Sequence, residues 1–348
     1  MLYLISDKIK PKHSIKRRYK MKIKRIMQTV CAAVLVFALS SCGKTDELRL
    51  GSGNTGGLYY TYATMLRELD NGGIDVKQTA GSQANMRLLN EGFVDLAIVQ
   101  SDVLSEAVNG TGDFAGEPVA GVRAVAGLYD EAFQLIVRKD SDIYALSDLK
   151  GKTMSVGEEG SGVAKNADYL LRSAGVDISE VNTVYMSYTE SAEAIEKNEI
   201  DVFFIIAGAP STVVSELAES TDIRFIAPDS TAVRYMTDLY KGYSESVIPA
   251  GTYRGQTEDI TTVGVKAILA AEAHADSDRI KAVTAELFEN SGRIKYSVTV
   301  PEPELDYAVS DIPCSFHKGA ADYYAGVGVT VNTDPAKEGT SFIFGSQD

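Results

Sequence analysis

From Leu48 onward, apolar and polar positions recur as one unit: a short apolar strand, a small polar loop, then an amphipathic helix. Leu48-Arg49-Leu50 runs into a loop from Gly51 to Gly57, after which Leu58, Tyr62, Met65, Leu66 and Leu69 fall at helical spacing. Residues 74–79 lead into Ala80-Gly81-Ser82 and a helix carrying Met86, Leu88 and Leu89. Residues 96–99 lead into Gln100-Ser101-Asp102 and a helix carrying Val103, Leu104 and Val108. The same unit then returns. Residues 154–156 precede a loop at 157–162 and a helix through Leu170-Leu171; residues 183–186 precede Ser187-Tyr188-Thr189; residues 202–206 precede Ala207-Gly208-Ala209-Pro210. Strands alternating with helices in this way predict an α/β fold on mainly parallel sheets.

The two runs agree in detail. Asn90-Glu91-Gly92-Phe93-Val94-Asp95 before an apolar strand parallels Glu196-Lys197-Asn198-Glu199-Ile200-Asp201 before another. Gly92 and Asn198 hold the same place, where a helix ends in a left-handed residue, and Gly and Asn suit that conformation best. Two domains of similar build follow. Residues 122–128 read as a strand, Tyr129-Asp130-Glu131 as a break and residues 133–137 as a strand again, while residues 263–269 can carry the chain back. These two crossings predict a hinge, with residues 47–131 and 263–348 in one domain and 132–262 in the other. The last eighty residues, clearest at 282–288, are expected as helices covering the first domain.

The leader is of another kind. Met21-Lys22-Ile23-Lys24-Arg25 is basic, and residues 30–39 form an apolar run that ends in Leu39-Ser40-Ser41-Cys42. A span of the bilayer needs about 20 apolar residues, so this is a signal peptide, and its end resembles a bacterial lipobox. Residues 1–41 are expected to be removed, residues 1–20 being an extension upstream of Met21. Cys42 would then carry lipid, residues 42–47 would be a tether, and the protein would work at a membrane outside the cytoplasm, in the periplasm or at the cell surface.

Composition narrows the chemistry. Of 34 Lys and Arg, ten lie in residues 1–41 with one of the 48 acids, so the body carries 24 bases against 47 acids. Nucleic acid is excluded as a partner, because phosphate binding needs a basic face. Three Cys and three His, scattered, cannot build a structural zinc site. Gly51-x-Gly53-x-x-Gly56 matches a dinucleotide fingerprint, but the acid that should end the second strand is missing at Thr79-Ala80-Gly81. No cofactor is expected. Ser161 lacks the glycine spacing of a nucleophile elbow, and neither His274 nor His317 stands near it in sequence. No catalytic residue is assigned.

What remains are six loops rich in small residues, at 53–57, 80–82, 100–102, 157–162, 187–189 and 207–209. In parallel α/β sheets such loops share the edge where ligands bind, and each opens a helix whose first amides are unpaired. No arginine lies in them, so backbone amides are expected to hold an anionic group.

Gly53-Asn54-Thr55-Gly56-Gly57-Leu58-Tyr59-Tyr60, Gly81-Ser82-Gln83-Ala84-Asn85 and Asp95-Leu96-Ala97-Ile98-Val99-Gln100-Ser101-Asp102 resemble the signatures of the TAXI family, the extracytoplasmic solute receptors associated with TRAP transporters. Gly160-Ser161-Gly162, Ile248-Pro249-Ala250-Gly251-Thr252-Tyr253 and His317-x-Gly319-Ala320 continue the resemblance in the family's order. It implies a two-domain periplasmic-binding-protein type II fold, joined by a two-strand hinge. It also implies a small carboxylate or amino-acid ligand, of the glutamate or 2-oxoglutarate kind, delivered to a TRAP membrane permease by a monomeric receptor. Gly53, Asn54, Thr55, Gly56, Gly57, Tyr59, Ser82, Asn85, Gln100 and Ser101 would form one wall of the site. Gly160, Ser161, Gly162, Ala207 and Gly208 would form the other. The alternatives are a lipoprotein reporting ligand to a membrane histidine kinase, and an extracytoplasmic hydrolase.

Overall fold

The computed structural model describes residues 47–239, 242–290, 292 and 303–335. The leader, Cys42 and all but the last residue of the tether lie outside the described residues.

The first half opens with β1 (Leu48–Gly51), α1 (Leu58–Leu69), β2 (Ile74–Lys77), α2 (Ser82–Asn90), β3 (Leu96–Gln100) and α3 (Ser101–Asn109). A long strand, β4 (Val122–Arg138), leads to β5 (Thr153–Ser155), α4 (Val163–Ser173), β6 (Asn182–Val184), α5 (Tyr188–Glu196), β7 (Val202–Ala207) and α6 (Thr212–Ser220). Then come β8 (Ile223–Ile226), α7 (Ser230–Leu239), β9 (Tyr243–Ile248) and a second long strand, β10 (Ile260–Glu272). Helices α8 (Ser277–Glu289), α9 (Leu305–Val309) and α10 (Lys318–Gly326) close the described chain.

The ten strands of the described residues join in one sheet of order β2-β1-β3-β10-β4-β7-β5-β6, with β8 on β4 and β9 on β10. Within each half the short strands are parallel, β1 between β2 and β3 and β5 between β6 and β7. Strands β3 and β7 are buried along their whole length. Helices cover both faces of such strands, so their sequences read as unbroken apolar runs. The two long strands are antiparallel to each other and run through both halves. Ala267–Ala271 of β10 pairs with β3, and Ala132–Ile136 of β4 pairs with β7. This is the two-domain periplasmic-binding-protein type II arrangement.

The apolar core follows the same division. One cluster unites residues from Leu48 to Tyr129 with residues from Ala267 to Tyr324. Two others occupy residues from Ala132 to Val265, one on each face of the second half's sheet. Alternation along β4 sends Phe133, Leu135 and Val137 to one face and Ala132 and Ile136 to the other. The C-terminal helices lie on the first half: Ile280, Val283, Leu287, Ala320 and Tyr324 belong to its core, and Arg279 pairs with Asp70 at 2.9 Å.

The match between halves extends to backbone hydrogen bonds. After α2, Gly92 (φ 69°) donates to Leu89 and Phe93 to Leu88; after α5, Asn198 (φ 57°) donates to Ile195 and Glu199 to Ala194. Both ends are Schellman caps, with Gly and Asn in the left-handed place. The aspartates that follow also act alike. The Asp95 carboxylate accepts from the Arg49 amide at 2.8 Å, and the Asp201 carboxylate accepts from the Thr153 amide at 2.7 Å.

One local expectation is corrected. Residues 129–131 are not a break, because β4 runs unbroken from Val122 to Arg138. Only Asp130 within this stretch is exposed, while Glu131 turns inward. A buried carboxyl within a strand needs a hydrogen-bond partner, and α1 supplies one, described next. Among the described residues, no helix is long and apolar enough to cross a membrane.

Candidate functional site

The six small-residue loops follow the C-terminal ends of β1, β2, β3, β5, β6 and β7, and they meet at one cavity of about 60 Å³ between the two halves. Gly53, Asn54, Gly57, Tyr59, Ser82 and Gln100 line it from the first half. Ser161, Gly162 and Ala207 line it from the second. Thr55 and Gly56 face an adjoining cleft of about 260 Å³ that also reaches Thr189 and Ser211. Asn85, Ser101, Gly160 and Gly208 do not line the cavity.

Asn85 has a different task. Fully buried, its Nδ2 donates to the Ser52 carbonyl at 2.6 Å and the Ile98 carbonyl at 2.8 Å, tying the ends of β1 and β3 together beneath the loops. Ser82 likewise accepts the Gln100 amide at 3.0 Å. Gly160 acts across the cleft, its carbonyl accepting the Ala84 amide at 3.1 Å. An amide of the first turn of α2, which has no partner inside its own helix, thus holds the opposite loop. Asn54 Nδ2 donates to Glu158 Oε1 at 3.1 Å, a second bridge.

Gly162 shows how close the walls come. A Cβ there would lie 2.2 Å from Gln100 Oε1, so a larger residue would push the halves apart or displace Gln100. The helices opening at the first wall have N-caps Gly57, Gly81 and Gln100, none of which caps with its side chain. Apart from the Ala84 amide held by Gly160, their first amides therefore keep donor capacity at a positive dipole end beside the cavity.

The residues that sequence reasoning missed are the carboxyl groups. Glu131, from the middle of β4, lines the cavity and is buried, and the Tyr59 hydroxyl donates to its Oε2 at 2.8 Å. Burial pushes its pKa up to about 8, against the Tyr59 and Gln100 side chains, which favour the charged form. Glu158 also lines the cavity, and among the described residues no Lys or Arg does. The missed signal was a charged residue inside an otherwise apolar run, read as a break. Ser187 and Tyr188 line the cavity too, but both are committed: the Ser187 hydroxyl caps α5, and the Tyr188 hydroxyl donates to the Ile206 carbonyl at 3.1 Å.

Beside the cavity the halves share a buried ionic cluster. Lys165 Nζ of α4 lies 2.7 Å from Glu106 Oε2 and 3.5 Å from Asp102 Oδ2, both on α3. Burial acts to lower the Lys165 pKa, but the two carboxylates outweigh it and hold it raised. Asn166 Nδ2 and the Tyr243 hydroxyl both donate to Asp102 Oδ2 at 3.2 Å. His317 lies elsewhere, as the N-cap of α10, its Nδ1 accepting the Gly319 amide at 3.0 Å.

Solved structures resemble this chain at low identity. A protein of Bordetella bronchiseptica RB50 matches at 15% identity and TM-score 0.51, over 87% of this chain and 92% of that one. The alkanesulfonate-binding protein SsuA of Xanthomonas axonopodis pv. citri, bound to MOPS, matches at 16% identity and TM-score 0.43, over 72% and 77%. An ancestral arginine-binding protein, bound to arginine, matches at 13% identity and TM-score 0.44, over 71% and 94%. At such identity the likeness to the Bordetella protein is one of fold. Sequence goes further, since the model of the NMT1-like family matches residues 50–328, nearly all of the described α/β body, and the chain belongs to that family.

Proposed function

We propose that this chain is an extracytoplasmic solute receptor that encloses a small carboxylate-bearing solute between residues 47–131 with 263–348 and residues 132–262. One observation carries the reading: the loops that open the helices of both halves line a common cavity. Uncapped helix N-termini suit a carboxylate.

The cavity's size supports a clamp. It measures about 60 Å³, well below the roughly 150 Å³ that admits benzene. A solute the size of an amino acid therefore enters only when the walls part, and β4 with β10 is the connection about which they would swing. A ligand drives closure only through contacts it gains in the closed state. Here it would rest on the first wall and gain Gly162 and Ala207 on closing.

The finer reading is a lipoprotein anchored through Cys42 that hands its solute to a TRAP permease. The lipobox-like Leu39-Ser40-Ser41-Cys42 and the TAXI-like motifs support it.

Small-angle scattering on protein stripped of solute by unfolding and refolding tests the clamp. Addition of a solute that raises the melting temperature should shrink the radius of gyration. An unchanged radius, with the solute bound to one half only, overturns it. For the anchor, Cys42→Ala should abolish acyl labelling, and persistent labelling removes that part.

A further inference from the structure

Resting on the receptor reading, we infer that the cavity selects an α-amino acid over the oxo acid or dicarboxylate of the same skeleton, with Glu131 and Gln100 accepting the ligand's ammonium group. Gln100 Oε1 is buried without a hydrogen-bond partner, and Gln100 itself is 3% exposed. Glu131, also 3% exposed, accepts the Tyr59 hydroxyl at Oε2 and is hydrogen-bonded by the Gln100 side chain as well. A carboxylate offers about four acceptor positions, so acceptor capacity remains. Both side chains line the same small cavity. An orphaned acceptor beside an under-used carboxylate calls for a ligand rich in N–H donors, and an ammonium group supplies three.

Charge points the same way. The groups acting on Glu131 are acids and phenols: Asp102 from α3, its neighbours Tyr129 and Asp130 on β4, Tyr59 from α1, Tyr188 from α5 and Tyr307 from α9. Glu158 stands on the opposite wall. The cations nearby are already engaged. Lys165 sits on Asp102 and Glu106, and Lys266, paired across from Asp130, gives its ammonium to the Tyr307 and Ser310 carbonyls. A dianion would enter this cavity with no cationic side chain lining it among the described residues, whereas a zwitterion brings its own cation to Glu131. Its carboxylate then takes the helix amides of the first wall.

Three matched pairs test the inference on the stripped full-length protein by calorimetry: L-alanine with pyruvate, L-leucine with 4-methyl-2-oxopentanoate, and L-glutamate with 2-oxoglutarate. In any pair that binds, the amine member should bind roughly ten- to a hundredfold tighter, the worth of one charge-assisted contact. Glu131→Gln should erase that preference. Because the carboxyl is disfavoured as an ion where it sits, this variant should fold with an unchanged or higher melting temperature. Asp130→Asn, which alters an exposed neighbour bonded to Tyr307, should keep the preference. Oxo acids binding as tightly as their amines, or a preference surviving in Glu131→Gln, overturns the ammonium assignment and leaves the receptor standing. If none of the six binds, the carboxylate-receptor reading falls, and the assignment with it.

Discussion

The two walls of the cleft are built from the same strand–loop–helix unit, yet they are held by different means. The first wall is braced from beneath by buried side chains. Asn85 bridges the ends of β1 and β3, Ser82 accepts the Gln100 amide, and Tyr59 reaches Glu131. The second wall is braced locally. At α5, Ser187 and Glu190 exchange hydrogen bonds in a capping box, and Gly160-Ser161-Gly162 offers mostly backbone. A wall with long-range polar bracing can hold a ligand before closure, since its shape does not depend on the other half. A wall of backbone and small residues can approach closely without clash. The comparison teaches that near-identical topology leaves the division of labour to a few polar side chains.

The sharpest way to break this comparison lies where the second wall does use a long side chain. Lys165→Met leaves Asp102 and Glu106 buried without their cation when the halves meet, and breaking a buried pair costs about 3–5 kcal/mol. Because Lys165 is on one half and both acids are on the other, the cost falls on the closed form. Ligand affinity should drop roughly a hundredfold or more, and scattering should show a larger radius at equal ligand concentration. An affinity unchanged within threefold would mean that the cluster does not bear on closure.

Asn85→Ala tests the bracing of the first wall. Removing the buried Asn85 donor from the Ile98 carbonyl, and from the Ser52 carbonyl that keeps the Thr79 hydroxyl, should cost about 1–3 kcal/mol of stability, read by chemical denaturation. Affinity should fall as well, although Asn85 does not line the cavity. Loss of stability with intact affinity would show that the wall keeps its shape without the bridge.

The pH dependence comes next. The Glu131 pKa is raised from 4.5 to about 8, so the free native protein holds this proton where the unfolded chain has released it. Its contribution to stability is therefore full below about pH 4.5 and is lost as pH rises through 8. Binding of an ammonium requires the carboxylate, so amino-acid affinity should rise by up to about tenfold per pH unit toward pH 8 and then flatten. The difference between the wild type and Glu131→Gln isolates this effect. A wild-type affinity that is flat from pH 6 to 8 would contradict it.

The smallest effect belongs to the second wall. Ser187→Ala should cost about 1 kcal/mol through the lost cap of α5 and change affinity less than threefold. A collapse of affinity would show that the Ser187 hydroxyl leaves its cap for the ligand, and the contrast between the walls would weaken.

Much of this molecule was legible in its sequence, because its largest features are local. The alternation of apolar runs and helical spacing marked the units, since strand and helix periods differ. Gly92 and Asn198 marked two equivalent caps, since few residues accept a positive φ. The loops after the strands pointed to the binding edge, because parallel topology puts them on one side. Glu131 could not be read in this way. Along the chain it is a charge interrupting a hydrophobic run, and only the packing of α1 against β4 turns it from a break into a buried, hydrogen-bonded group. The family resemblance put Asn85 in the ligand wall, but nothing along the chain gives its depth, and packing seats it beneath the loops. The pairing of Lys165 with Asp102 and Glu106 joins residues about sixty apart in the chain. The sequence by itself determined the units, their order and the edge where they open, through short-range sterics and periodicity. Which polar groups face the cavity and which brace it was decided by tertiary structure, because burial and the partner that satisfies it come from elements distant in sequence.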